Sequence, residues 1–180
     1  NESSEIIRML NTAFNEFTND TTDYYPEELR EEIDAINDVV YKNINNGVYK
    51  TGYARTQEAY EESVVPLFDA LNMLDDRLSA QRYLVSDRLT EADWRLFPTL
   101  IRFDAAYVGA FKCNVRQIKE YPHLASYTRE LFQVPGIADT VNIDAYKEGY
   151  YHKNKDRNPF GIVPIGPGID FDAPHERGAL

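Results

Sequence analysis

The sequence predicts an all-α domain, and three observations carry that expectation. Apolar residues recur at three- and four-residue steps through most of the chain. Alternating apolar and polar runs, the mark of half-buried strands, are nearly absent. A sharp helix-start signal opens a long, largely apolar stretch at residues 89–113. There Thr90 is placed as the N-cap, its hydroxyl accepting from the Asp93 N–H, while the Asp93 carboxylate reaches back to the Thr90 N–H. Leu89 and Trp94 have hydrophobic-staple spacing, and Glu91 and Asp93 sit where the helix dipole favours acids. Trp94, Phe97, Leu100, Ile101 and Ala105 share one face. Pro98 removes an N–H and should bend this helix or loosen one of its turns.

The other elements are taken in chain order. Ile6, Ile7, Leu10, Phe14 and Phe17 form an apolar stripe behind Ser3 or Ser4 as N-cap. A capping serine beside free helix N–H groups is also a ready anion site. Residues 19–26 are polar and turn-rich and read as a linker, with Pro26 at the first position of the next helix. That helix buries Leu29, Ile33, Ile36, Val40 and Ile44 and ends at Asn45-Asn46-Gly47, with Gly47 as a left-handed C-cap. Residues 48–55 read as an irregular connection. Residues 56–81 are the longest periodic segment, with Tyr60, Val64, Leu67, Leu71, Leu74 and Leu78 inward and a kink expected at Pro66. In the short connection after it, Tyr83, Leu84 and Val85 turn inward. Residues 114–120 form a turn or short helix. Pro122 opens a helix carrying Leu124, Tyr127, Leu131 and Phe132, which Val134-Pro135-Gly136 stops. A further short helix holds Ile137, Val141, Ile143, Tyr146 and Tyr150. From Tyr151 the composition changes to a basic patch (His152, Lys153, Lys155, Arg157) and the Pro/Gly-rich run GIVPIGPG. This is either a disordered end or an extended tail laid over the domain. Phe160, Ile162, Val163 and Ile165 favour the tail, because they give it something to bury.

Composition narrows the function classes. With 180 residues, 43% hydrophobic and 27% charged, the chain can bury one substantial core. No apolar run approaches the roughly 18 residues of a membrane span. A net charge of −11 argues against a nucleic-acid partner, which would need clustered Lys and Arg. Cys113 is the only cysteine, so no intrachain disulfide can form, which fits a reducing, cytoplasmic compartment. It is either a nucleophile or a buried small apolar side chain beside Phe111, and free cysteines are more often the latter. His123, His152 and His175 are scattered, and no metal is expected. No phosphate loop or hydrolytic constellation is present. What stands out is 13 tyrosines, which suit plain core packing and equally suit an aromatic diol, since a phenol donates a hydrogen bond while its ring packs.

Two strings carry a resemblance. Thr-Glu-Ala-Asp at residues 90–93 resembles the folding motif of the helical C-terminal domain of glutathione transferases. Arg-Phe-Asp-Ala-Ala-Tyr-Val-Gly-Ala-Phe-Lys-Cys-Asn, residues 102–114, is narrower and resembles the xi class, the glutathionyl-hydroquinone reductases. The resemblance extends to Asn-Asn-Gly-Val-Tyr-Lys-Thr-Gly-Tyr-Ala and to the tail, where Asn-Pro precedes Gly-Ile and a later Ile-Gly-Pro. It implies an all-α, glutathione transferase C-terminal-like bundle with an extended C-terminal tail. Residues 1–18 would be the last helix of an otherwise absent thioredoxin-like domain, 19–26 the linker, 27–150 the helical domain and 151–180 the tail. It implies that Tyr49, Tyr107 and Tyr150 (or its neighbour Tyr151) line the hydroquinone pocket, and that Glu2 and Ser3 hold the γ-glutamyl end of glutathione.

The implied co-substrate is glutathione or γ-glutamylcysteine, without a metal, and the implied assembly is a homodimer through the helical domain. The chain departs from the family at Tyr53, where Phe is more usual, and at Ala110, where many members carry His. No Cys-Pro motif is present, so the catalytic cysteine is not in this chain, and the isolated 180 residues are expected to be inactive. The competing reading is a non-catalytic helical interaction module of the same fold.

Overall fold

The structure, a computed structural model, describes residues 3–178. All regular structure among them is helical. Helix α1 (Ser3–Thr12) leaves its apolar stripe outside the core, with Ile6, Ile7, Leu10, Phe14 and Phe17 all exposed. Polar contacts tether it instead. Arg8 donates to both Glu91 carboxylate oxygens at 2.9 and 3.1 Å and to Asp34 at 2.5 Å, and its guanidinium lies 3.8 Å over the Tyr25 ring. The connection at 19–26 is irregular, as its composition suggests, and Pro26 stands one residue ahead of the first helical turn, Glu27–Leu29.

Helix α2 (Arg30–Val39) widens into a π-helical turn, Val40–Asn45, and continues as α3 (Gly47–Tyr53). Two expectations fail here. Gly47 is not a left-handed cap, and residues 48–55 are not irregular. Asn46 keeps right-handed helical angles, and the Lys50 N–H bonds the Asn46 carbonyl at 2.9 Å. Asn-Asn-Gly is a stop signal by local propensity, but α3 buries Val48, Thr51 and Gly52 by packing on α4, and tertiary packing overrides propensity.

Helix α4 (Gln57–Ala80) is the central element. Thr56 caps it by accepting from the Ala59 N–H at 3.2 Å, and the helix runs through Pro66. It buries Val64, Leu67, Leu71, Leu74 and Leu78 against α3 and α7. Tyr83, Leu84 and Val85 turn inward as anticipated. Helix α5 (Glu91–Arg102) opens with the expected capping box. Asp93 is fully buried and accepts four hydrogen bonds: from the Thr90 N–H (2.8 Å) and hydroxyl (3.1 Å), the Leu84 N–H (2.9 Å) and the Tyr127 hydroxyl (2.6 Å). One carboxylate thus pins the α4–α5 connection, α5 and α7 together. Helix α5 is unbroken at Pro98. The loosening comes further on, at a π-helical turn, Phe103–Tyr107, followed by the single turn α6 (Val108–Ala110).

Helix α7 (Pro122–Phe132) starts at its proline, and Asp75 of α4 caps it by accepting from the His123 and Leu124 N–H groups at 3.0 and 2.7 Å. The last expected helix is divided into a 3-10 turn, Ala138–Thr140, and α8 (Ile143–Lys147), which runs into a third π-helical turn, Glu148–His152.

The tail is extended and lies on the domain, but not by the expected anchors. Phe160, Ile162, Val163 and Ile165 remain exposed. The backbone and the far end hold it instead. Lys147 donates to the Ile165 carbonyl at 2.6 Å, Phe171 packs on Phe132 at 5.2 Å between ring centroids, and Arg177 is 2% exposed. Counting apolar residues in a Pro/Gly-rich run does not show which way their side chains turn.

Candidate functional site

The three wide helical turns have a common consequence. A π-helical turn inserts a residue and rotates the downstream residues around the helix axis, and such turns are frequent at functional sites. Tyr49 lies in α3 just after the first, Tyr107 ends the second, and Tyr150 lies inside the third. Their hydroxyls converge. The Tyr49 and Tyr150 oxygens are 2.7 Å apart and those of Tyr107 and Tyr150 3.1 Å apart. Ring centroids are 5.9 Å apart for Tyr49 and Tyr107 and 5.2 Å for Tyr107 and Tyr150, in edge-to-face arrangements. The cluster runs from surface to interior: Tyr49 is 39% exposed, Tyr150 is half-buried and Tyr107 is 3% exposed.

Phe111 is the floor of the cluster. Its ring lies 5.4 Å from Tyr49 and 5.6 Å from both Tyr107 and Tyr150. It reaches this position because Gly52 has no side chain. A Cβ there would stand 2.3 Å from Phe111 Cγ. Tyr150, not Tyr151, joins the cluster. The Tyr151 hydroxyl donates to the Ala106 carbonyl at 3.1 Å and fills the space a Cβ on Gly109 would need, 2.2 Å away.

The electrostatics keep the interior phenols neutral. Burial, then the hydrogen bond to Tyr150, holds the Tyr107 phenol far above its ordinary range, and burial raises Tyr150 as well. Three phenols have three O–H donors. Two contacts within the cluster use two of them, so one O–H and several lone pairs remain for a ligand. A flat ring with oxygens at its edge matches both features.

Beside Tyr150 opens a cleft of about 390 Å³ that Lys112, Tyr151, Arg157 and Asn158 also line. Arg157 lies 3.8 Å over the Tyr53 ring and 5.3 Å from Phe111. Sequence reasoning missed Phe111, Gly52 and Arg157. Phe111 lay within the family-like string, and Arg157 lay in the basic patch, where nothing set it apart from His152, Lys153 and Lys155. A second groove, about 350 Å³, runs between α1 and the start of α5 and contains none of the clustered tyrosines. Ser3 is the first residue of α1, and Glu2 lies outside the described residues. Cys113 is fully buried, and burial pushes its thiol up to about 12, so it is a core side chain. Among the described residues no helix is long and apolar enough to cross a membrane, and no three His, Cys, Asp or Glu side chains gather to hold a metal.

Known proteins resemble this chain in sequence and in fold. The family profile described as Glutathione S-transferase, C-terminal domain matches residues 57–130. The chain is 54% identical over 167 residues to glutathionyl-hydroquinone reductase PcpF of Sphingobium chlorophenolicum, covering 93% of this chain and 53% of that protein. It is 49% identical over 177 residues to glutathionyl-hydroquinone reductase YqjG of Escherichia coli, covering 98% and 54%. The xi-class glutathione transferase from Natrialba magadii superposes with a TM-score of 0.96 at 52% identity, covering all of this chain and 55% of that one. The glutathione-bound YqjG structure gives 0.95 at 48%, covering 98% and 58%. The chain spans about half the length of the curated relatives it matches. Its fold is the all-α bundle of the glutathione transferase C-terminal domain, and over most of its length its homologues are xi-class transferases and glutathionyl-hydroquinone reductases.

Proposed function

We propose that this chain is the helical half of a glutathionyl-hydroquinone reductase, and that Tyr49, Tyr107 and Tyr150 form the wall that receives the hydroquinone ring. The convergence of their hydroxyls within 3.1 Å carries this reading. The names of PcpF and YqjG support it. Residues 1–18 are then the last helix of a thioredoxin-like domain, a reading that the exposed apolar face of α1 supports, with 19–26 as linker, 27–150 as the helical domain and 151–180 as its tail.

In the whole enzyme a cysteine thiolate of that other domain attacks the glutathionyl sulfur. The bond from sulfur to the ring carbon breaks, and its electron pair stays on the ring, which takes a proton and leaves as hydroquinone. The cysteine is left in a mixed disulfide with glutathione. A second thiol, glutathione or γ-glutamylcysteine, attacks that disulfide, freeing the cysteine and leaving as the oxidised disulfide. The tyrosines hydrogen-bond the ring oxygens and stabilise the charge that develops on them. Tyr107 and Tyr150 suit this because they stay neutral donors. Glu2 and Ser3 hold the γ-glutamyl end of glutathione. No metal takes part, and the enzyme works as a cytoplasmic homodimer. Cys113 cannot supply the thiolate, so the isolated chain binds a hydroquinone without turning it over.

Titration calorimetry with hydroquinone tests the wall. Tyr150→Phe keeps the ring and removes both hydroxyl contacts, so affinity should fall about tenfold. Unchanged affinity in Tyr49→Phe, Tyr107→Phe and Tyr150→Phe would refute the reading.

A further inference from the structure

We infer that Arg157, with Lys112, forms an anion subsite beside the tyrosine cluster, and that the site takes aromatic ligands carrying a ring carboxylate. The inference rests on the tyrosine wall and adds the class of ring that it selects. The chain carries a net charge of −11, yet the cleft beside Tyr150 is lined by two cations and no carboxylate. Arg157 is positioned: its guanidinium is stacked 3.8 Å over Tyr53, and its backbone N–H bonds the Asn154 carbonyl at 3.2 Å. Its Nη1 is packed away from water with no oxygen partner, and among the described residues no carboxylate pairs with it. An arginine held by rings and left without a counter-charge inside a cleft is a recognition group for a planar oxyanion. Asn158 fixes the wall behind it by donating to the Tyr151 and Ile162 carbonyls at 3.1 and 2.7 Å. Lys112, which also lines the cleft, is exposed and sits at a left-handed backbone angle, φ 59°.

The carboxylate has two available sources, a substituent on the ring or the glutathione moiety of a conjugate. Three probes separate them: hydroquinone, gentisate (the same diol with a ring carboxylate) and glutathione. Binding to this chain is measured by titration calorimetry for the wild type, Arg157→Gln, Arg157→Lys, Lys112→Gln and Tyr150→Phe, with circular dichroism confirming the fold of each. Gentisate should bind roughly tenfold tighter than hydroquinone, Arg157→Gln should abolish that preference, and Arg157→Lys should restore part of it. Equal affinities for the two rings, or a gentisate preference that survives Arg157→Gln, would overturn the subsite while leaving the tyrosine wall standing. Loss of glutathione binding alone in Arg157→Gln would also overturn it, by reassigning the arginine to the peptide. Gentisate binding that depends on Arg157 but not on Tyr150 would uphold the subsite and refute the wall. No binding by any probe would refute both.

Discussion

Arg177→Ala should destabilise the domain by about 3 kcal/mol, although the residue lies in the tail and far from the tyrosines in sequence. Its guanidinium is 2% exposed and makes four contacts: the Glu130 carboxylate at 3.1 Å and the Leu78, Gln81 and Arg82 carbonyls at 3.2, 3.0 and 2.6 Å. Leu78 lies in the last turn of α4, where carbonyls lack helical partners, and Gln81 and Arg82 follow directly after that helix. Truncation leaves a buried carboxylate with fewer donors, and removing one partner of a buried pair costs about 3–5 kcal/mol. Glu130 keeps Arg82 at 2.6 Å and the Tyr83 hydroxyl at 3.1 Å, which places its share at the low end. The orphaned carbonyls add about 1 kcal/mol each unless water enters the space, and water entry offsets most of that. In a domain of this size, ~3 kcal/mol lowers the melting temperature by roughly 6–12 °C. Thermal melts followed by circular dichroism at 222 nm measure it. Arg177→Lys keeps the charge but not the fork and should recover about half of the loss. Limited proteolysis should cut Arg177→Ala first within 160–176. A melting temperature within 2 °C of wild type would refute the tail as a structural clamp.

The core thiol makes a pH prediction. Burial raises the Cys113 folded pKa above its unfolded value, so its contribution is complete below about pH 9 and is lost as pH rises toward 12. Urea midpoints should therefore fall from pH 9 to 11, less steeply in Cys113→Ala, and a thiol reagent at pH 8 should label the wild type only after unfolding. Gly109→Ala should cost about 1–2 kcal/mol by displacing the Tyr151 hydroxyl, and Tyr151→Phe in the same chain should recover part of that in a double-mutant cycle. Gly52→Ala should cost more, about 2–3 kcal/mol, because Phe111 is packed from every side and cannot retreat, and hydroquinone binding should weaken with it. The protein in its native source should be larger than 20.8 kDa and contain a Cys-Pro sequence, as intact mass and peptide mapping would show.

Much of this protein is determined by local rules. Helix periodicity, the Thr90–Asp93 capping box, Thr56 and Pro122 as helix starts and the buried stripe of α4 depend on neighbours within a turn or two, and they are legible in the sequence. So was the inertness of Cys113, since a free cysteine is most often a buried core side chain. The tyrosine motifs were legible as a resemblance, but their meeting was not. Tyr49 and Tyr150 are 101 residues apart, and only the packing of α3, the turn after α5 and the turn after α8 brings their hydroxyls to 2.7 Å. Three wide turns set the phase of those side chains, and a π-helical turn has no reliable local signature because its stability comes from the surface it packs on. The same holds where α3 continues past Asn45-Asn46-Gly47, where the tail is anchored by Phe171 and Arg177 rather than by its apolar run, and where Arg157 folds back over Tyr53. In each case a weak local preference was overruled by burial or charge pairing with residues distant in sequence, and contacts of that kind exist only once the chain has packed.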